Sequence, residues 1–223
     1  MRTLRVLARL LCYPTDALRR AAPELRAILA EEGVLPAKHR AAVGTLIDAI
    51  GRDTLYDAQE RYVALFDLGR GCSLHLFEHV YGDSRERGQA MVALADRYRA
   101  AGFAVSANEL PDYLPLVLEY VSVAPPGEAK GLLAEIAHVI EALGERLAKR
   151  GSPYASVMAA LGALAGKRLH STADLVTFDD DDSPEALDRA WEEAAVTFGP
   201  ENAPRSGGCD RAAAILARMN QGS

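Results

Sequence analysis

His75-Leu-Phe-Glu78-His79 is the run in this chain whose residue types and spacing could carry chemistry. It fits the H-x-x-E-H pattern of an inverted zinc peptidase, in which two histidines share a helical face and the glutamate works on a metal-bound water. A helix confined between Ser73 and Gly82 is barely two turns long, however. No third ligand can be singled out among the many downstream carboxylates. The structural reading is favoured, with His79 hydrogen-bonded at a junction between helices and no metal bound. Gly69-Arg70-Gly71 lacks the later glycine and lysine of a phosphate-cradling loop, and no strand precedes it, so it reads as a helix-ending turn. No Ser-His-Asp or Cys-His arrangement rises above isolated residues. Asp67, Glu78, Glu109, Asp112 and Glu119 are either solvated or the lining of a groove, and the aspartate run 179–182 reads as an exposed solvating tract.

Helices must position these groups. Ala, Leu, Arg and Glu dominate the composition, β-branched residues are sparse, and no stretch alternates as a half-buried strand would. Leu4, Leu7, Ala8 and Leu11 mark a first helix that stops before Pro14. Thr15 or Asp16 caps a second, carrying Leu18, Leu25, Ile28 and Leu29 to Gly33, and Pro36 opens a third that Gly51 terminates. Thr54 and Asp57 form a capping pair for the helix presenting Leu55, Tyr62, Leu65 and Phe66. Asp83 with Glu86 has capping-box spacing for a helix that runs to about residue 101, and Ser106 with Glu109 repeats that spacing. An apolar helix follows over 116–123, then Pro125-Pro126-Gly127 breaks the chain. A long helix over 128–150 carries Leu132, Leu133, Ile136, Val139, Ile140, Leu143 and Leu147, and a last one spans 153–164. The expected fold is all-α, one helical bundle of about nine to eleven helices over 1–165. An acidic, Gly/Pro-containing and partly flexible segment would fill 166–223, with a terminal helix near Arg211 to Met219.

At 223 residues the chain can bury about 70% of its unfolded surface in one core. A net charge of −6 argues against nucleic acid as a partner and favours a basic peptide. Cys12, Cys72 and Cys209 are far apart and outside any C-x-x-C spacing, which fits reduced thiols in the cytoplasm. Arg2, Arg5 and Arg9 interrupt the apolar residues at the start, so an amphipathic helix is expected there rather than a signal peptide, and no run is long enough to insert into a membrane.

A larger set of residues carries a resemblance. Leu10-Leu11-Cys12-Tyr13-Pro14 and Asp57-Ala58-Gln59 lead into Tyr62-Val63-Ala64-Leu65-Phe66-Asp67. Gly69-Arg70, Ser73-Leu74, Leu76-Phe77-Glu78-His79-Val80, Gly82, Ser84-Arg85 and Arg87 to Val92 follow. Glu109-Leu110-Pro111-Asp112, Leu114-Pro115-Leu116, Leu118-Glu119-Tyr120 and Trp191-Glu192-Glu193 complete it. Over roughly residues 1–198 the chain resembles the nitrate reductase molybdenum-cofactor assembly chaperones, the delta-subunit family within the redox-enzyme maturation chaperones. The resemblance implies an all-helical, cytoplasmic, non-enzymatic protein. Such a protein binds the apo alpha (catalytic) subunit of respiratory nitrate reductase, chiefly at its N-terminal segment, and holds it competent for insertion of bis-molybdopterin guanine dinucleotide. It keeps no cofactor stably, departs before or during membrane attachment, and has molybdenum cofactor biosynthesis proteins as further partners. Maturation of a related molybdoenzyme is the alternative. The wider class often has a histidine where this chain has Tyr113, so that histidine's role does not carry over.

A basic amphipathic helix can lay its apolar face in a groove whose acidic rim meets its charges. That groove is expected between the segments 66–87 and 109–120. Phe66, Glu78, His79, Glu109, Asp112, Tyr113, Leu114, Glu119 and Tyr120 are the expected contacts. Asp67, Arg70, Arg85 and Arg87 are expected to fix the junction, the arginines by clamping the carboxylates Glu109, Asp112 and Glu119.

Overall fold

Among the described residues, which in this computed structural model are 1–82, 84–106, 109–166, 172 and 175–176, all regular structure is helical, apart from a single bridge between His75 and Tyr113. The order is α1 (Arg2–Leu10), α2 (Asp16–Arg20), α3 (Ala22–Glu32), α4 (Ala37–Arg52) and α5 (Leu55–Phe66), then a 3-10 turn (Arg70–Cys72). After it come α6 (Leu76–Tyr81), α7 (Glu86–Ala100), α8 (Leu114–Val123), α9 (Pro126–Lys149) and α10 (Ala155–Ala165). The all-α expectation holds. Two compact units divide the chain, 1–187 and 188–223, and the described residues all fall in the first. The aspartate run, Trp191 and the terminal helix lie outside the described residues.

Several ends form where the sequence signals them. The Thr15 hydroxyl accepts from the Leu18 amide and the Thr54 hydroxyl from the Asp57 amide, both at 3.2 Å. Gly33 ends α3 with φ of +64°, a conformation in which other residues are strained. Other boundaries differ from the sequence reading. One helix from Thr15 to Gly33 is in fact two, α2 and α3, broken at Ala21. Pro23 sits in the first turn of α3, where its missing N–H costs nothing, but it could not have continued α2. Gly51 does not terminate its helix: α4 runs on to Arg52, and Gly51 is where Ala22 packs closest. A Cβ there would stand 3.1 Å from the Ala22 Cβ. Pro115 and Pro126 open α8 and α9 from their first turns, so both helices begin two residues earlier than expected. At the Ser106 signal the Glu109 amide bonds the Ser106 carbonyl, while Asp83 of the other capping box lies outside the described residues.

Helix α8 occupies the centre. Its residues are apolar almost all round, so no single face can be given to water. Leu114, Leu116, Val117, Leu118, Tyr120 and Val121 are all buried, with α1 on one side and α9 on the other. Helix α9 buries the stripe anticipated from its spacing and packs along α10, which also touches α4. Tyr62 and Phe66 of α5 meet Tyr154 in a tilted and edge-on series, and Tyr98, Phe103 and Tyr120 form a second aromatic cluster where α7 meets α8. Leu175 packs against this core, and the Val176 amide bonds the His79 carbonyl at 2.8 Å. No helix of the described residues is long and apolar enough to cross a membrane.

Truncation of Leu118 to alanine should therefore cost about 2–5 kcal/mol in urea unfolding. Val92→Ala, at a residue 62% exposed on α7, should leave the midpoint nearly unchanged.

Candidate functional site

The loop between α7 and α8 is tied to the segment that precedes α6. The Leu114 amide donates to the Leu74 carbonyl at 2.8 Å, and the Leu76 amide to the Asp112 carbonyl at 3.1 Å. This short antiparallel pairing brings His75 opposite Tyr113, with their rings 5.4 Å apart. Asp112 is fully buried, and its Oδ2 accepts the Phe77 amide at 3.0 Å while Oδ1 lies 3.3 Å from His75 Nδ1. Asp112 thus supplies from a distant part of the chain the N-terminal cap that α6 lacks in its own sequence.

This pairing changes which of the expected groove residues can reach a surface. The segments 66–87 and 109–120 are hydrogen-bonded to each other through Leu74, Leu76, Asp112 and Leu114, and the opening beside this pairing has Leu76, Phe77, Val80 and Tyr81 from one segment and only Val117 from the other. Phe66, His79, Asp112, Leu114 and Tyr120 are all buried, so they hold the junction together and offer no surface to a partner. Glu78, Tyr113 and Glu119 remain half-exposed and Glu109 exposed. The arginine clamp is also corrected. Arg87 bonds Glu78 at 3.1 Å, Glu119 pairs with Arg9 at 3.4 Å, and Asp112 is held by amide and imidazole. Asp67 ends α5, while Arg70 in the 3-10 turn and Arg85 before α7 are both exposed.

The two histidines of the zinc-like run are pulled apart. His75 precedes α6 in extended conformation and turns to Asp112, whereas His79 lies inside the helix. His79 donates through Nε2 to the Ser73 carbonyl at 2.8 Å, and its Nδ1 accepts from Arg146, which also donates to the Gly71 carbonyl. Both ring nitrogens are occupied, so the pair makes no metal-binding face. Among the described residues no group of three or more His, Cys, Asp or Glu side chains is placed to hold a metal ion. Burial pushes the His79 imidazole down to about 4, with the neighbouring Arg146 charge acting in the same direction.

On the other side of α6 lies an open apolar cleft of about 540 Å³. Phe77, Val80 and Tyr81 of α6 form one wall, Ala90 and Ala93 of α7 the other, and Ile136 of α9 belongs to the floor. The cleft stays open because α7 turns small side chains toward α6 and α9 where larger ones would fill the space. Its polar lining among the described residues is Arg97, Glu135 and His138. Arg97 donates through Nε to Glu128 at 3.1 Å and stands 3.6 Å from Glu135. The Tyr120 hydroxyl also donates to Glu128, and these two hydrogen bonds hold that carboxyl below its usual range. The segments expected to form a groove supply Phe77, Val80 and Val117 to this cleft, but the sequence did not point to its α7 wall and α9 floor. Its signals were faint: two alanines one turn apart on α7 and Glu135 inside the apolar run of α9.

His79 has a measurable consequence. It ionises near 4 when folded and near 6.5 when unfolded, so the unfolded chain takes up the proton first as pH falls. Its stabilisation is complete above about 6.5 and lost as pH drops toward 4, on the order of 3 kcal/mol in all. Urea denaturation from pH 7 to 4 should therefore show wild type losing stability more steeply than His79→Gln, with carboxylate titrations cancelling in the difference. Parallel curves would show that His79 is not buried in neutral form.

Comparison with known proteins places this architecture. Residues 16–160 match the family model described as nitrate reductase delta subunit. The chain is 41% identical over 196 residues to the nitrate reductase molybdenum cofactor assembly chaperone NarJ of Escherichia coli K12, spanning 86% of this chain and 83% of that protein. It is 38% identical over 206 residues to NarW of the same strain, spanning 91% and 86% respectively. Among solved structures, a candidate redox enzyme maturation protein from Archaeoglobus fulgidus superposes with a TM-score of 0.53 at 18% identity, over 73% of this chain and 91% of that one, a likeness of fold. The chain belongs to the nitrate reductase delta subunit family.

Proposed function

We propose that this protein is an assembly chaperone for the molybdenum cofactor of a nitrate reductase, acting by binding and without catalysing a reaction. Its partner is the apo catalytic (alpha) subunit, engaged chiefly through the N-terminal segment. Binding keeps the subunit competent to receive bis-molybdopterin guanine dinucleotide, in the cytoplasm and ahead of membrane attachment. The relatives' names support the assembly role, and the observation that carries the binding mode is the apolar cleft between α6, α7 and α9. An amphipathic helix could seat its apolar face there, against Phe77 and Val80, with its polar face left to water. Cofactor biosynthesis proteins are further partners of this reading. Maturation of a related molybdoenzyme is its near alternative, separated by which catalytic subunit co-purifies.

A second docking surface is favoured by one observation. Tyr13 and Leu110 are each 47% exposed on the side of the α6 junction where Tyr113 and Glu109 also reach the surface. Tyr13 packs edge-on to the buried Tyr62, whose hydroxyl lies 3.2 Å from that of Tyr113, so one core tyrosine supports both surface rings of this aromatic patch.

Calorimetric titration of the catalytic subunit's N-terminal peptide tests both readings. Phe77→Ala should weaken binding by about 1–3 kcal/mol, as truncation of a central apolar contact does. Ala93→Arg, which fills the cleft from an exposed helical position, should abolish it. Unchanged affinity in both, with loss in Leu110→Ala or Tyr113→Ala, would move the site to the aromatic surface.

A further inference from the structure

The charges at the mouth of the cleft do not balance. Arg97 faces two carboxylates, Glu128 and Glu135, and only Glu128 is within hydrogen-bonding distance. Glu128 is also fixed by the hydroxyl of Tyr120, whose ring is 1% exposed, so it is committed to the fold. Glu135 is loosely paired at 3.6 Å, and its side chain is 47% exposed beside the apolar floor residue Ile136. Farther along α7, Arg87 and Glu78 neutralise one another. Among the described residues Arg97 is shared between two carboxylates, and Glu135 is the more loosely held of the two.

Resting on the cleft as the peptide site, we infer that Glu135 is a specificity-determining residue. It turns from Arg97 to take a lysine or arginine of the bound peptide, one that sits at the edge of the peptide's apolar face. Arg97 does not repel that cation, because Glu128 keeps it neutralised. A carboxylate held next to apolar surface also discriminates, since a peptide placing an acidic residue there would set like charges together with no compensating partner. Glu135 therefore fixes the register of the peptide, and the apolar wall supplies most of the affinity.

The test is a charge-swap series with the N-terminal peptide of the catalytic subunit, read by titration at low and high salt. Glu135→Lys should weaken binding by roughly tenfold or more, and Glu135→Gln by less. Replacing each peptide lysine or arginine in turn with glutamate should find one position that recovers affinity for Glu135→Lys while losing it for wild type. The half-exposed position lets both variants fold, which circular dichroism checks. Glu135→Lys binding within roughly twofold of wild type, or no reversal recovering it while Phe77→Ala still weakens binding, overturns the assignment and leaves the cleft standing. If Phe77→Ala and Ala93→Arg are also silent, the cleft itself falls.

Discussion

The carboxylate of Asp112 is the interaction on which the described site depends. A fully buried carboxylate is costly unless donors surround it, and here the amide of Phe77 and the imidazole of His75 do so. In the other direction, α6 has six residues and no side-chain cap of its own, too short to persist as an isolated helix. Each solves the other's problem: the helix terminus offers an unpaired amide and positive dipole, and Asp112 brings the negative charge. Removing the carboxylate would strand the Phe77 amide and free the one element that carries Phe77, Glu78, His79, Val80 and Tyr81. The cleft wall, the Glu78–Arg87 pair and the buried His79 all hang from that cap.

How far the sequence foretold this differs by level. The helices were legible because burial imposes a 3.6-residue period, and α9 kept every position of its expected stripe in the core. Caps at Thr15 and Thr54 were legible because a hydroxyl three residues ahead of an amide leaves little choice of geometry. The α2–α3 break was not, because a proline in a first turn and a proline breaking a helix look alike until the neighbouring alanine is seen bent. Gly51 misled for a related reason: a glycine near a helix end resembles a terminator, whereas here it admits Ala22.

At the site, burial and tertiary capping set the difference between sequence and structure. Leu114 and Tyr120 look from the sequence like part of a groove wall, but a ten-residue helix that is apolar on almost every side belongs in the centre of a bundle. Its composition carries that signal. The same confusion affected the histidines. The two histidines that would share one helical face straddle a helix boundary instead, because Asp112 caps at Phe77 and leaves His75 outside. Tertiary capping of this kind cannot be found from spacing, since the capping residue lies 35 positions away.

An open apolar cleft also needs a reason to stay open, since closing it would bury surface worth roughly 25 cal/mol per Å². Helix α7 is held at both ends by ion pairs. Arg87 reaches α6 near its start, Arg97 reaches α9 near its finish, and Tyr98, fully buried, bonds the carbonyl of Pro111. Each exposed pair would contribute little alone, but these side chains are only about a fifth to a third exposed and act on one rigid helix. Between the two anchors α7 presents Ala90 and Ala93, too short to reach the opposite wall. A helix pinned at both ends cannot roll inward to close the gap without breaking at least one anchor. The apolar surface is therefore kept available by charges that lie outside it. That is the arrangement a binding protein requires if its site is to be filled by another chain's side chains and not by its own.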